Sequence, residues 1–231
     1  MKKINKNLKT IWNTDPMRLW ILLYFPTYLI AFFILEHVAS PTRRHILTTP
    51  VDRAIPFLPV FVIPYFFWFL FHLIAFILTI QEKDALHYYQ MAFAIFSGMT
   101  VFIIVSAIFP NHQDLRPLVT GTDPLSIAVR LLYTIDTPNN VMPSIHVYDA
   151  LILNTAMWRC QRINSSRYSS FWKSASLMMT ILIILATMFL KQHTIWDVLG
   201  AFLMYFPMYR YFYCKFKVPE YLKIRSHRKE A

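Results

Sequence analysis

The sequence predicts an all-α integral membrane protein, a six-transmembrane-helix bundle with both termini cytoplasmic. Three observations carry that expectation. Hydrophobic residues make up 56% of the 231 residues and charged residues only 15%, whereas a soluble domain is about 45–50% apolar and about 25% charged. Apolar runs recur at close to the roughly 20 residues that a helix needs to cross a bilayer. Lys and Arg fall unevenly between alternate connections, which is the mark of a positive-inside topology.

Residues 1–16 are a polar, basic N-terminal segment with Lys2, Lys3, Lys6 and Lys9. The first span runs from Met17 to about Leu35. No small-residue cleavage site follows it, so it reads as a retained span. Glu36 to Arg53 is a polar loop with Arg43, Arg44, Asp52 and Arg53. The second span, Ala54 to Ile80, begins among Pro56, Pro59 and Pro64, which predicts an irregular or kinked start. Gln81 to Asp84 is a turn, and the third span runs from about Leu86 to Ile108. Pro110 to Met142 reads as the longest polar loop. The fourth span begins near Ser144 and ends near Trp158, before a basic loop over 159–170. The fifth, Phe171 to Leu190, and the sixth, Thr194 to Cys214, follow with almost no connector. A basic tail starts at Lys215. With only three glycines and no low-complexity tract, residues 17–214 form one compact membrane domain between two basic ends.

Seventeen of the twenty-three Lys and Arg lie in, or at the span ends next to, the termini, the turn after the second span and the loop after the fourth. That places both termini in the cytoplasm. The net charge of +11 is then topology signal and contact with anionic lipid head groups rather than a nucleic-acid footprint. Cys160 and Cys214 fall at cytoplasmic span ends, so free thiols are expected there, and neither has metal-ligand spacing.

The chemistry-bearing residues fall in three stretches that this topology brings to the outer face. In Lys191-Gln192-His193-Thr194-Ile195-Trp196-Asp197, an Asp and a His interrupt apolar runs where ionisable groups are costly. If the sixth run is helical from its start, His193 and Asp197 share one face. The carboxylate then fixes the imidazole tautomer and leaves the other nitrogen free to attack. Lys191 adds an anion-binding charge. In Pro143-Ser144-Ile145-His146, Ser144 caps a helix whose N-terminal amides favour phosphate oxygens, and His146 one turn in can protonate a leaving oxygen. Arg116, before Pro117, offers a planar fork for two phosphate oxygens. Each histidine alone would read equally as an interfacial side chain at a helix end. Asp123, Arg130 and Asp136 read as loop residues, and Asp52-Arg53 as an entrance or a simple pair. His72 and His87 show no partner pattern. A proton-coupled transporter would need ionisable groups spread through the membrane depth, and here they are expected at one face.

Arg116-Pro117, Pro143-Ser144-Ile145-His146, and His193 with Asp197 resemble the three signature blocks of the type 2 phosphatidic acid phosphatases, from the second span to the end of the chain. The resemblance implies a six-helix core and removal of phosphate from a membrane lipid through a phosphohistidine, without metal or other cofactor, at the non-cytoplasmic face of the cell membrane. It makes His193 the nucleophile, Asp197 its partner and His146 the general acid, with Arg116 and Ser144 on the phosphate. Two of the family's cation positions are occupied here by Phe109 and by Ala186-Thr187, and Lys191 is the candidate replacement. The Lys-Gln-His approach and the Asp52–Trp68 stretch are also similar to the sphingolipid phosphotransferases, in which an alcohol intercepts the intermediate. Three functions follow as expectations: a lipid phosphatase, a head-group phosphotransferase, or a non-catalytic lipid-binding protein. Phosphatidic acid, phosphatidylglycerol phosphate and polyprenyl diphosphate are all open as substrates.

Overall fold

The computed structural model describes residues 11, 15–38 and 44–217. Most of the basic N-terminal segment, Arg43 and the basic tail beyond residue 217 lie outside the described residues. The described residues are mostly helical. Among them four helices are long and apolar enough to cross a membrane: α1 (Met17–Glu36), α3 (Pro59–Ile80), α4 (Leu86–Ile108) and α8 (Ser169–Phe189). Between α1 and α3 lie a two-residue strand β1 (His45–Ile46) and the short helix α2 (Pro50–Ala54). After α4 come β2 (Asn111–His112), α5 (Pro124–Ile135), α6 (Ile145–Arg159) and the one-turn α7 (Gln161–Asn164). After α8 comes α9 (Ile195–Tyr209), extended by a π-turn over Arg210–Lys215.

The first, third and fifth predicted spans are found nearly at their expected limits. The second opens irregularly among its prolines, with a 3₁₀ turn over Pro59–Phe61. The other two expected spans, near 144–158 and 194–214, are helices of only 15 residues each. For α6 the packing explains this. It is the central post, in contact with α3, α4, α8 and α9, and ten of its residues are buried. A helix wrapped by protein need not match the hydrocarbon thickness or be apolar all round. Gly98 lets α4 lie close to it, because a side chain there would overlap the Tyr148 ring. The Tyr148 hydroxyl then donates to the Ala94 carbonyl at 2.7 Å. On α1, α3, α8 and α9, by contrast, Leu, Ile, Phe and Trp side chains stand exposed. Such apolar surface is stable only against lipid or a partner.

The stretch read as the longest loop contains a helix. Asp123 accepts from the amides of Leu125 and Ser126 at 3.1 Å each, and Pro124 occupies the first turn. A cap followed by a first-turn proline is a strong start signal. Val129 and Leu132 then bury one stripe against Val62, Tyr65, Ala186 and Leu190. Around it, β1 pairs in parallel with β2, and the buried Asn111 accepts from the amides of Val141 and Met142 at 2.7 and 3.0 Å. These bonds fix the segment that leads into α6. Cys160 and Cys214 are free thiols, the first buried and the second exposed.

Candidate active site

Two helix starts converge. Ser144 caps α6, its hydroxyl accepting from the Val147 amide at 3.4 Å. Its own amide donates to the Asp197 carbonyl at 3.0 Å, so the α6 and α9 starts are joined directly. Thr194 caps α9, and Asp197 closes a capping box by accepting from the Thr194 amide at 2.6 Å. His193 therefore precedes the helix rather than sharing its face with Asp197. It is positioned from the other side, by the end of α8. The amides of Gln192 and His193 both donate to the Thr187 carbonyl, at 2.9 and 3.0 Å. Lys191 turns the chain with a left-handed φ of 54°, a conformation that costs a non-glycine residue about 1 kcal/mol.

The result places His146 and His193, 47 residues apart in sequence, with Nδ1 of the first 3.4 Å from Nε2 of the second. His193 Nδ1 stands 3.5 Å from Asp197 Oδ2, long for a hydrogen bond. His193 Nδ1 and Asp197 Oδ1 are buried and have no hydrogen-bond partner among the described residues. A small closing movement would pair Nδ1 with the carboxylate and leave Nε2 as the free nucleophile.

Both histidines line a cavity of about 190 Å³. Its walls are aromatic and apolar, with Tyr28 and Phe32 from α1, Trp68 and Phe69 from α3 and Phe102 from α4. Its polar rim is Asp136, Asn139 and Asn140. Leu29, Phe69 and Ile135 on its lining are also among the exposed apolar side chains, so the cavity reaches the apolar outer surface. It is smaller than the roughly 300 Å³ at which pockets for drug-sized ligands begin, and so has room for a small group only.

The predicted phosphate ligands are placed less directly. The Ser144 hydroxyl is fully buried in its cap. Lys191 Nζ donates to the carbonyls of Asp52, at 2.6 Å, and Ile55, which turns it away from the cavity. Burial lowers the Lys191 ammonium from its ordinary value, against the opposing pull of Asp52. Arg116 donates to the carbonyls of Tyr133 and Asp136, at 3.2 and 2.6 Å, and to the Gln192 side chain. It also lies over the Tyr133 ring at 4.4 Å. Burial pushes its guanidinium down, partly offset by Asp136. Its Nε is buried without a partner among the described residues. Neither Arg116 nor Lys191 lines the cavity.

No protein-family model, curated protein or solved structure matches this chain.

Several expectations need correction. Asp136 is no ordinary loop residue: its carboxylate accepts from the Tyr65 hydroxyl, and Tyr65 in turn meets His146. Asp52 is a structural acceptor. It closes a capping box on α2 and takes the Ile195 amide at 2.7 Å, while Arg53 pairs with Asp114 on the surface at 2.9 Å. His72 has a partner, with Nε2 3.2 Å from the buried Asp149 of α6, and His87 pairs with Glu82 at 2.9 Å. Ionisable groups thus occur along α3 and α6 and at the far helix ends, not at one face only. Tyr65, Gln192 and Asp149 were missed because each finds its partner across more than fifty residues of sequence. No group of three or more His, Cys, Asp or Glu side chains among the described residues could hold a metal ion.

Proposed function

We propose that this protein is a lipid phosphatase that removes phosphate from a membrane lipid phosphate or diphosphate through a phosphohistidine on His193. The observation that carries this reading is the contact of two imidazoles from distant segments, 3.4 Å apart at the wall of an apolar cavity. One of them has a carboxylate behind it. A head group enters the cavity while its chains stay among lipid. Nε2 of His193 attacks phosphorus, the bond to the leaving oxygen breaks, and His146 protonates that oxygen. Water activated by His146 then opens the N–P bond. The two rings have to part to admit phosphorus, since their nitrogens now touch. Dividing the reaction replaces one hard step with two easier ones, and Arg116 Nε and the amides at the α6 start would offset charge on the phosphoryl oxygens.

The same reading takes α6 and α9 as completing a six-helix body, with both termini cytoplasmic and the site on the outer side. Supporting it are the Lys and Arg distribution and the π-turn over Arg210–Lys215 that lengthens α9.

One observation favours a second reading, head-group phosphotransfer. Lys191 is held by carbonyls, and Arg116 is held by carbonyls and Gln192. A site so short of free cations suits a singly charged phosphodiester better than a doubly charged monoester.

The test is phosphate release by the purified full chain from a panel of lipid phosphates in detergent, with His193→Ala as control. Release that depends on His193 supports hydrolysis. Exchange of a labelled alcohol into a phosphodiester lipid, without free phosphate, supports transfer. Full activity in His193→Ala removes both readings.

A further inference from the structure

We propose that Tyr65 and Asp136 form a positioning pair for His146, holding its hydrogen on Nε2 and presenting Nδ1 to the leaving oxygen and then to the attacking water. The inference rests on the phosphohistidine reading above and names residues which that reading does not need.

His193 has Asp197 behind it. On its own helix His146 has no equivalent, because Asp149, three residues on, faces His72. What His146 does have is Tyr65 of α3. That side chain is 1% exposed, and its hydroxyl donates to Asp136 Oδ2. A phenol has one proton. With that proton directed to the carboxylate, the oxygen can only accept from His146, so the nearer ring nitrogen carries the hydrogen. Tyr65 Oη is 2.9 Å from Nε2 and 3.4 Å from Nδ1. Nε2 is therefore the N–H, and Nδ1 is the nitrogen that faces His193. Asp136 also stands 3.9 Å from Nε2 and is steadied by the Gln192 amide at 3.4 Å. The other groups facing His146 are His193 and, behind the Trp68 indole that contacts both rings, His72.

In the first step the His193 Nε2–P bond forms and the P–O bond to the leaving group breaks. The proton on Nδ1 of the His146 imidazolium passes to the departing oxygen, while Nε2 keeps its hydrogen on Tyr65. In the second step water oxygen bonds to phosphorus, its proton goes to Nδ1, and His193 leaves as neutral imidazole. The Asp136 charge, acting through Tyr65, favours the imidazolium at both stages, as a carboxylate does behind a catalytic histidine.

The experiment has two arms on the full-length chain in detergent. The first labels histidine with ¹⁵N and reads the His146 tautomer from two-bond N–H correlations, with His146→Gln for assignment. Above the basic limb of the pH profile, where His146 is neutral, wild type is expected as the Nε2–H form, and Tyr65→Phe and Asp136→Asn as mixtures. The second compares a short-chain phosphatidic acid, a poor leaving group, with p-nitrophenyl phosphate, which departs without a proton. Both variants are expected to fall roughly 10²-fold on the former and far less on the latter, with no further loss in the double variant. The basic limb of the pH profile on the lipid substrate moves to lower pH in both. A wild-type Nδ1–H tautomer, a tautomer unmoved by Tyr65→Phe, or equal loss on both substrates would overturn the proposal. A chain with the expected tautomer and its expected sensitivity that releases phosphate from neither substrate supports the hold on His146 and overturns the phosphatase reading alone.

Discussion

The two ends of the helix bundle both bury ionisable groups, and they do so in opposite ways. At the end formed by the start of α1 and the turn between α3 and α4, Arg18 donates to Asp15 at 3.0 Å and to the carbonyls of Ile80 and Glu82 at 2.8 and 2.7 Å. Tyr89 donates to Asp15 at 2.8 Å, and Glu82 takes His87 and the Gln161 amide. None of these side chains has a buried polar atom left without a partner. At the other end Arg116 Nε, Asn140 Oδ1, His193 Nδ1 and Asp197 Oδ1 are all buried and unpartnered among the described residues, and Asn140 and His193 line a cavity. A buried polar atom without a partner costs about 1–3 kcal/mol. The first cluster is satisfied and joins helices; the second is incomplete, as the proposed site would be before its ligand arrives.

That contrast is sharpest in the histidine substitutions. His193→Ala should abolish turnover while leaving the unfolding midpoint nearly unchanged, because Nδ1 has no hydrogen-bond partner among the described residues and Nε2 meets only His146, at 3.4 Å. Asp197→Asn should lower kcat on the order of 10³-fold by losing the tautomer lock. The asparagine oxygen can still take the Thr194 amide, so α9 keeps its start. Phosphate release and thermal unfolding measured on the same preparations check both, and a large fall in stability with modest loss of rate would place this end with the structural one. The converse is expected of Arg18→Met. It removes the cation beside Asp15 and the donor to the carbonyls of Ile80, Glu82 and Lys83, at a cost of about 3 kcal/mol, and leaves turnover per folded molecule intact. Activity lost ahead of the fold in that variant would break the comparison from the other side.

Much of the architecture was legible because lipid imposes it. The limits of α1, α4 and α8 follow from apolar runs bounded by polar turns, and the Thr194-x-x-Asp197 pattern is itself a helix-start signal. Helix α5 was hidden inside a stretch judged by its polar average, although Leu125, Val129 and Leu132 recur at helical spacing. The meeting of His146 with His193 was reachable only through topology, since no local pattern connects them. Tyr65, Asp136, His72 and Asp149 lay beyond reach for a different reason. Each looks ordinary in its own run, and its role exists only in a partner from another helix.

Lys191 tests where the boundary between the two kinds of cluster runs. The sequence suggested a phosphate ligand, yet its ammonium holds the carbonyls of Asp52 and Ile55, next to the Asp52 carboxylate that takes the Ile195 amide. Lys191→Gln should therefore lower the unfolding midpoint and change KM by less than about threefold, a difference of roughly 0.7 kcal/mol. A larger rise in KM with unchanged stability would return Lys191 to the binding end.

The smallest expected effect is in the acid stability of the satisfied end. Burial works to raise the Glu82 carboxyl, but the donors around it, His87, the Cys160 thiol and the Gln161 amide, outweigh it and hold the group below the ordinary carboxylate range. A carboxylate depressed in the folded state contributes stability that is present above its unfolded value and is lost as pH falls through its folded value. Between pH 6 and pH 3 the unfolding midpoint of the wild-type chain should fall, and that of Glu82→Gln, already lower at pH 6, should fall less. Equal slopes in the two chains would mean that Glu82 carries no charge-dependent share of this joint. That cluster would then be held by Arg18, its carbonyls and Asp15.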